Sequence, residues 1–466
     1  MIPMRLADAA AAMGAEVRGS SGVTVQRVST DSRRLEPGDL FFALRGPNFD
    51  GHEFVPTAFA KGAVGCICDR RGETKGIKAT GPVLLVDDTV AALGRLASHY
   101  RKSVLPPSTV IVGVTGSNGK TTTKFMIDQV LNGSMKGRPA PKSFNNQIGV
   151  PLTLLSADGD DRYVVVEMGT NSPGEIGRLA AMGSPNVGVV TSIGEAHVEG
   201  LGDLAGIAAE KASLLDHIRD GGLAVVNIDR SMILSHLSPR KGVRLVTVGS
   251  DPRAKLWVGR RRSSIRGSTF DLDGRFTVEL PIPGTHHATN ATAAFAVGRW
   301  FGVDCEEILE QLRTFSPPEG RTRVTEVGGI TLVDDSYNAN PASVRAAIEA
   351  LSTHESGRRV LVLGDMLELG SVAGAFHKDV VRAALGAGIE VFVPVGPMMV
   401  QASDELSAEF GGTQVVHCAD AEEAGDVVHD LALPGDAVWV KASRAMKLDL
   451  VVDRLQKIGH RSFAAA

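Results

Sequence analysis

A lysine framed by glycines and threonines, in "GVTGSNGKTTTK" (113–124), is the stretch of this sequence best equipped for chemistry. The apolar run "TVIV" precedes it and "FMIDQVLN" follows, so it reads as strand, glycine-rich loop and helix. Such a loop turns backbone N–H groups inward, and the helix start adds partial positive charge, so together they cradle a phosphate. The strict pattern wants Gly, four residues, then Gly-Lys-Ser/Thr, and Val114 stands where its first glycine belongs. Gly113, Gly116 and Gly119 recur three apart instead, so the match is a variant. Gly116, Ser117, Asn118 and Gly119 are expected to wrap the phosphates of a nucleoside triphosphate, with Thr122 alongside. Lys120 would reach the outer phosphates, and Thr121 would offer its hydroxyl to Mg2+.

A magnesium site needs an acid at the end of a neighbouring strand. Glu167 follows four apolar residues in "YVVVEMG", which brings its carboxylate out at the carboxyl edge of the sheet. His197, in "TSIGEAHVEG", comes just past the next strand and should reach the same edge as a second metal candidate. Lys211, in "AAEKASLLDHI", reads from the residues alone as a solvated helical lysine, and Glu210 as a surface charge.

The elements that must position these groups alternate. "TVIVGV", "RYVVVEM", "NVGVVTSI" and "GGLAVVNI" are β-branched runs typical of parallel strands covered on both faces. Helices over 120–131, 172–182 and 203–219 supply the crossovers. Residues 243–280 change to an alternating pattern that predicts an antiparallel flap, and two helical stretches follow. The expected fold class is α/β in three domains. Residues 1–105 form a small α/β domain, 106–316 a central P-loop domain with a parallel sheet, and 317–466 a Rossmann-like domain. "SVLPPST" (103–109) and "SPPEGRTRV" (316–324) read as the linkers. No glycine-rich dinucleotide fingerprint opens the third domain.

Bulk properties narrow the function classes. Among 466 residues, lysine plus arginine number 49 and aspartate plus glutamate 53, a balance of −4 that gives no electrostatic reason for a nucleic-acid partner. Cys66 and Cys68 fall on one strand face without a second ligand pair at zinc spacing, so all four cysteines are expected to be thiols in a reducing compartment. With neither a leader pattern nor a spanning apolar run, the expectation is a cytoplasmic monomer without membrane insertion.

Taken together, the phosphate loop, "FNNQIGVPLTLL" (144–155), "EMGTNSPGEI" (167–176), "IGEAHVEGLG" (193–202) and "AAEKASLL" resemble the Mur ligase superfamily over essentially the whole chain. "DDSYNANPASVRAAI" (334–348) and "VLGDMLELG" (362–370) narrow the resemblance to the branch that adds D-alanyl-D-alanine (D-Ala-D-Ala) to UDP-N-acetylmuramoyl-tripeptide (UDP-MurNAc-tripeptide). The resemblance implies ATP and Mg2+ as cofactors and those two small molecules as partners. It implies that Lys120 and Thr121 hold the ATP phosphates and metal, that Glu167 and His197 are metal ligands, and that Lys211 is the lysine carbamylated in many relatives. Asn290 in "GTHHATNATAA" matches the asparagine near the adenine, Arg321 an arginine reaching the nucleotide, and Asp335 a third-domain acid approaching the phosphates on closure. Relatives usually read His-Asn where this chain has His286-His287, so His287 receives no role. Ser32, Arg33, Asn48 and His52, in "STDSRRLEPGDLFFALRGPNFDGHEF", resemble the segment holding the UDP-sugar. Asn145 and Asn146, with Tyr337, Asn338, Asn340, Ser443 and Arg444, are the corresponding candidates for the peptide and incoming dipeptide.

The implied chemistry is carboxylate activation. Transfer of the γ-phosphate gives an acyl phosphate, from which phosphate leaves when the dipeptide amine attacks. The rivals are the ligase adding the third residue, folylpolyglutamate synthase, a small-molecule kinase, and a nucleotide-gated binding module. "YNANP" favours the dipeptide-adding branch over the first two; a kinase would not need the third domain. An acid, a histidine and a lysine at one sheet edge argue against a module that catalyses nothing.

Overall fold

Among the described residues, three large sheets of nine, six and five strands, one per domain, organise the fold, with two two-stranded ribbons beside them. The computed structural model describes all residues except 71–78, 195–197, 238–241, 410 and 458–466. In the central sheet the strand Val110–Thr115 lies between Tyr163–Glu167 and Val187–Val190, pairing in parallel with both. Strand order therefore reverses at Val110–Thr115, and a crevice opens at its carboxyl end, where the glycine-rich loop follows. Nearly every residue of these three strands is buried, which accounts for their unbroken β-branched runs.

The expected flap differs in part. Arg244–Gly249 pairs in parallel with Leu223–Asn227, and Leu256–Ser264 also begins in parallel register beside it. Only Gly267–Leu272 and Phe276–Leu280 add in antiparallel fashion. The segment thus extends the central sheet to nine strands. Alternating strands look alike in either direction, so the alternation alone does not fix the sense.

In the third domain Ile330–Asp335, Ala437–Lys441, Arg359–Gly364, Val391–Val395 and Gln414–Val415 run parallel, with Arg323–Val327 antiparallel at one edge. In the first domain Arg27–Ser29, Asp39–Phe42, Gly65–Asp69 and Val83–Val86 form a parallel sheet closed by antiparallel Glu16–Arg18. Cys66 and Cys68 share one apolar cluster on it, as their spacing predicts, and burial pushes the Cys68 thiol up to about 12.

The stretch read as the first linker is not free chain. The helix Thr89–His99 continues as a wider turn through Val104, and Leu93, Leu96 and Tyr100 pack in one cluster with Ile111, Val150, Leu154 and Val164 of the central domain. Arg101, 2 % exposed, donates to the carbonyls of Gly183 (3.2 Å), Thr109 (3.3 Å) and Ser184 (3.4 Å) and to Asn186 Oδ1 (2.8 Å). Paired prolines suggested looseness, but apolar burial and a buried guanidinium clamp the junction. Among the described residues, no helix is long and apolar enough to cross a membrane.

Replacing Arg101 by Met should strand those acceptors and lower stability by about 2–3 kcal/mol, read as a fall in the urea midpoint at unchanged m-value. An unaltered midpoint would show that the guanidinium does not clamp the two domains.

Candidate active site

The glycine-rich loop is held from its neighbour strand. Ser117 Oγ bonds the Gly194 carbonyl (2.8 Å) and accepts the Gly194 N–H (2.9 Å), while Asn118 N–H donates to Ser192 Oγ (2.8 Å). Thr191 Oγ1 donates to the Asn118 carbonyl (2.5 Å). Gly116 takes φ 148° and lies so close to this staple that a Cβ would sit 2.0 Å from Thr191 Oγ1. No side chain fits there, which explains the glycine. Gly119 then starts the helix Lys120–Asn132 with φ 82°.

Lys120, half-buried at the helix start, curls its Nζ back to the carbonyls of Gly116 (2.8 Å) and Ser117 (3.3 Å). Enclosure by the surrounding protein pulls its pKa below the usual lysine value, with Glu167 opposing and Arg321 reinforcing the shift.

Glu167 ends its strand opposite Val114, so register alone sets it beside the loop. It is 1 % exposed. Thr121 Oγ1 donates to Oε2 (3.0 Å), Asn145 Nδ2 to Oε1 (3.0 Å), and Lys124 Nζ stands 3.3 Å from Oε2. Burial works to raise its pKa, but Lys124, Lys120, Arg321 and Asn145 outweigh that and hold it below the ordinary carboxylate value. Lys124 also donates to the Lys142 carbonyl, tying down the segment that carries Asn145. Asn146 Oδ1 accepts from Gly149 N–H (2.9 Å) just ahead of the helix Gly149–Ser156.

Lys211 is 1 % exposed, and burial, helped by Lys120, lowers its pKa to about 7. It is therefore not the solvated lysine its helical context suggested. Glu210 is not a surface charge either: its carboxylate accepts from Gly174 N–H (2.6 Å) and Ile176 N–H (2.7 Å) at the start of the helix Glu175–Gly183. Both residues face inward because the helix Leu204–Ala212 packs on the helix Glu175–Gly183.

The third domain reaches the loop directly. Asn340 caps the helix Pro341–Leu351 and donates through Nδ2 to Asn118 Oδ1 (2.5 Å). Asn118, Gly119, Thr122, Asp335, Asn338, Asn340 and Arg321 border one cleft. Thr121, Lys142, Arg321, Tyr337 and Arg444 border another. Asp335 is held by Lys441 Nζ (2.7 Å) and Thr322 Oγ1 (3.2 Å). Arg321 stacks on Tyr337 at 4.0 Å, with Arg444 at 5.7 Å from the same ring. The candidates expected together for the peptide are thus divided: Asn338 and Asn340 border the cleft of the phosphate loop, Tyr337 and Arg444 the other. Ser443 Oγ is engaged by Leu367 N–H (2.9 Å). Asn290 is buried beside Gly119, where a Cβ would lie 2.5 Å from its Oδ1.

Ser32 and Arg33 occupy a short helical turn, Arg33 paired with Asp31 at 2.8 Å, and Asn48 is exposed. His52 is buried with both ring nitrogens engaged: Nε2 accepts Asp69 N–H (3.0 Å) and Nδ1 donates to Asp50 (2.6 Å). It therefore shapes this loop and has no ring nitrogen left for a ligand. None of these four residues borders either cleft. His197 lies outside the described residues.

Thr121 and Glu167 bring two oxygen donors together and leave the remaining positions of a small hard cation to phosphate and water, which suits Mg2+. Among the described residues no group of three or more His, Cys, Asp or Glu competes as a metal cage. Sequence reasoning missed Lys124 and Lys441. Lys124 stands four residues after Lys120, on the same helical face, which was a readable signal; Lys441 ends the strand Ala437–Lys441 after four apolar residues, the same signal that marked Glu167.

A three-domain α/β chain with a P-loop, a buried acid and a third domain touching the loop defines a nucleotide-dependent ligase architecture. Residues 24–101 match the Mur ligase family catalytic domain, 114–298 the Mur ligase middle domain, and 320–444 the Mur ligase glutamate ligase domain. The chain is 34 % identical to the UDP-N-acetylmuramoyl-tripeptide–D-alanyl-D-alanine ligase of Bacillus subtilis, over 92 % of this chain and 93 % of that one. It is 34 % identical to the enzyme of that name from Escherichia coli, over 98 % and 100 %. A crystal structure of MurF from Acinetobacter baumannii superposes with a TM-score of 0.86 at 28 % identity, covering 98 % of this chain and 99 % of that one. MurF ligase from Thermotoga maritima in complex with ADP gives 0.79 at 26 %, covering 94 % and 98 %. The chain belongs to the Mur ligase family, among the UDP-N-acetylmuramoyl-tripeptide–D-alanyl-D-alanine ligases.

Gly116→Ala should weaken ATP binding about 100-fold, since the loop must shift to admit the methyl group; titration calorimetry checks it, and wild-type affinity would contradict the staple. For Lys211 the native pKa is depressed to about 7 from 10.5. Between those values the unfolded chain holds a proton that the native chain lacks, so stability rises with pH by about 1.4 kcal/mol per unit. In CO2-free buffer, Lys211→Met should remove that slope between pH 7.5 and 9.5 in urea titrations; an identical slope in the variant would place the lysine in solvent.

Proposed function

We propose that this chain uses ATP to join D-alanyl-D-alanine to the terminal carboxylate of UDP-N-acetylmuramoyl-tripeptide, yielding the pentapeptide, ADP and phosphate. The observation that carries the reading is the gathering of Lys120, Thr121 and Glu167 at the carboxyl edge of the sheet, with Arg321 and Asn340 arriving from the third domain. The labour divides among three domains: residues 1–105 hold the UDP-sugar, 106–316 the nucleotide, and 317–466 the dipeptide side.

Loop N–H groups and Lys120 hold the β- and γ-phosphates, and Arg321 adds a cation where the transferring group spreads its charge. Mg2+, held by Thr121 and Glu167, supplies further neutralisation of phosphate charge. A carboxylate oxygen of the tripeptide forms a bond to the γ-phosphorus as the bond to the ADP oxygen breaks. The dipeptide amine then attacks the acyl carbon, the tetrahedral adduct expels phosphate, and the amine proton goes to solvent. Arg321 and Tyr337 border the space where this exchange occurs, and third-domain contacts with the loop exclude water from the acyl phosphate.

With its pKa near 7, Lys211 has a neutral amine fraction at physiological pH. That fraction can add CO2, losing a proton to become a carbamate, a buried anion suited to a second metal with His197. Asn290 serves the adenine and Asp335 the nucleotide. Ser32, Arg33 and Asn48 serve the UDP-sugar, while Asn145, Tyr337 and Arg444 serve the peptides. The setting is the cytoplasm, and the working unit a monomer.

Oxygen-18 in the terminal carboxyl group of the tripeptide should appear in the released phosphate, one atom per pentapeptide formed. Pentapeptide made with unlabelled phosphate would rule out activation through the carboxylate.

A further inference from the structure

The helix His287–Trp300 starts beside the phosphate loop, with Asn290 against Gly119, and ends at a different cavity. At about 1.5 Å per residue, its two ends stand roughly 20 Å apart. The far turns bring Phe295, Ala296, Arg299 and Trp300 to one face, which borders a recess of about 370 Å³. Leu223 and Arg244, paired in register, open neighbouring parallel strands and border the same recess. The recess therefore lies at the amino edge of the central sheet, whereas the phosphate loop leaves its carboxyl edge.

The floor of the recess is core: Leu223, Val246, Leu272, Phe295 and Ala296 all belong to the main apolar cluster of the central domain. Phe276 and Trp300 pack against that cluster yet stay only partly covered, and the Phe276 ring lies 5.9 Å from that of Phe295. The charged groups of the lining are four cations, Arg244, Lys255, Arg275 and Arg299, against one acid, Asp273. That acid stands 3.6 Å from Arg275, and Arg299 donates to the Val303 carbonyl (2.6 Å). Arg244 and Lys255 are exposed and have no carboxylate partner among the described residues. Like charges at a concave, apolar-walled mouth repel one another and focus a positive field into it. An aromatic floor beneath such a field suits a flat ring with one negative charge. A bare inorganic anion would leave the floor uncovered, and a neutral ring would leave the cations unpaired.

We propose that this recess is an accessory binding site for a small aromatic carboxylate, its ring on Phe276, Phe295 and Trp300 and its carboxylate toward Arg244 and Lys255. The recess shares no bordering residue with either cleft described above, so the site does not depend on what those clefts bind.

Titration calorimetry on the full chain would compare probes of one shape and different charge: 2-naphthoate, 2-naphthalenemethanol and 2-naphthylmethylammonium. Naphthoate should bind roughly fivefold or more tighter than the alcohol, since two partly exposed cations contribute, and the ammonium should bind weakest. Added salt should shrink that gap, and acetate, which has the charge without the ring, should not bind measurably. Replacing Arg244→Ala and Lys255→Ala together, both at exposed positions, should lower naphthoate to the affinity of the alcohol, with circular dichroism confirming the fold. ADP with Mg2+ should leave the naphthoate Kd unchanged. Absence of naphthoate binding, equal affinity for naphthoate and the alcohol, or acetate binding as tightly as naphthoate each overturns the proposal. So does an unchanged naphthoate affinity in the folded double variant, and competition by ADP would place the probe in the nucleotide cleft and overturn it as well.

Discussion

A carboxylate buried to near-complete exclusion of water must be repaid locally, and at Glu167 three neighbours do so. Thr121 and Asn145 donate hydrogen bonds and Lys124 supplies the counter-charge. An uncompensated carboxylate at that depth would cost several kcal/mol or take up a proton. The helix of the glycine-rich loop, the segment before Gly149 and the strand Tyr163–Glu167 are therefore bound to one another through a single charged group. Each can hold its place only while the others hold theirs. The arrangement also keeps an anion in readiness for a cation.

Much of this was legible because it follows local rules. The phosphate loop declares itself through glycines that no other residue could replace, and Glu167 through its place after four apolar residues. Parallel strands were readable from unbroken β-branched runs. What stayed hidden depends on contacts between distant segments. Arg101 reads as a surface arginine until the carbonyls of 183 and 184 accept from it, and Lys211 as solvated although the fold buries it. Asn340 could be recognised as a helix cap from "NANPAS", yet nothing in those letters says that its amide also reaches Asn118. The direction of the strand Arg244–Gly249 escaped for a related reason, since its pattern is compatible with either sense.

The cross-domain contact from Asn340 to Asn118 joins a helix start in the third domain to the tip of the phosphate loop. One side chain thus serves both secondary structure and domain docking. The loop is thereby tied to the first turn of Pro341–Leu351, while Lys441 ties Asp335 to the neighbouring strand of the third sheet. Arg321 stands between the two clefts and borders both. Occupancy of one side therefore alters the electrostatic field on the other without a long relay.

The apolar cluster that runs from Leu93 and Tyr100 into Ile111 and Val164 makes the first two domains mechanically one body. A sugar nucleotide anchored at its far end would then be presented to the phosphates at a set distance, as a ruler presents a mark. Peptides shorter or longer than the reach between those anchors would leave their terminal carboxyl group off target. Selection by length would thus be built into the rigid half of the molecule, leaving only the third domain free to accommodate the second substrate.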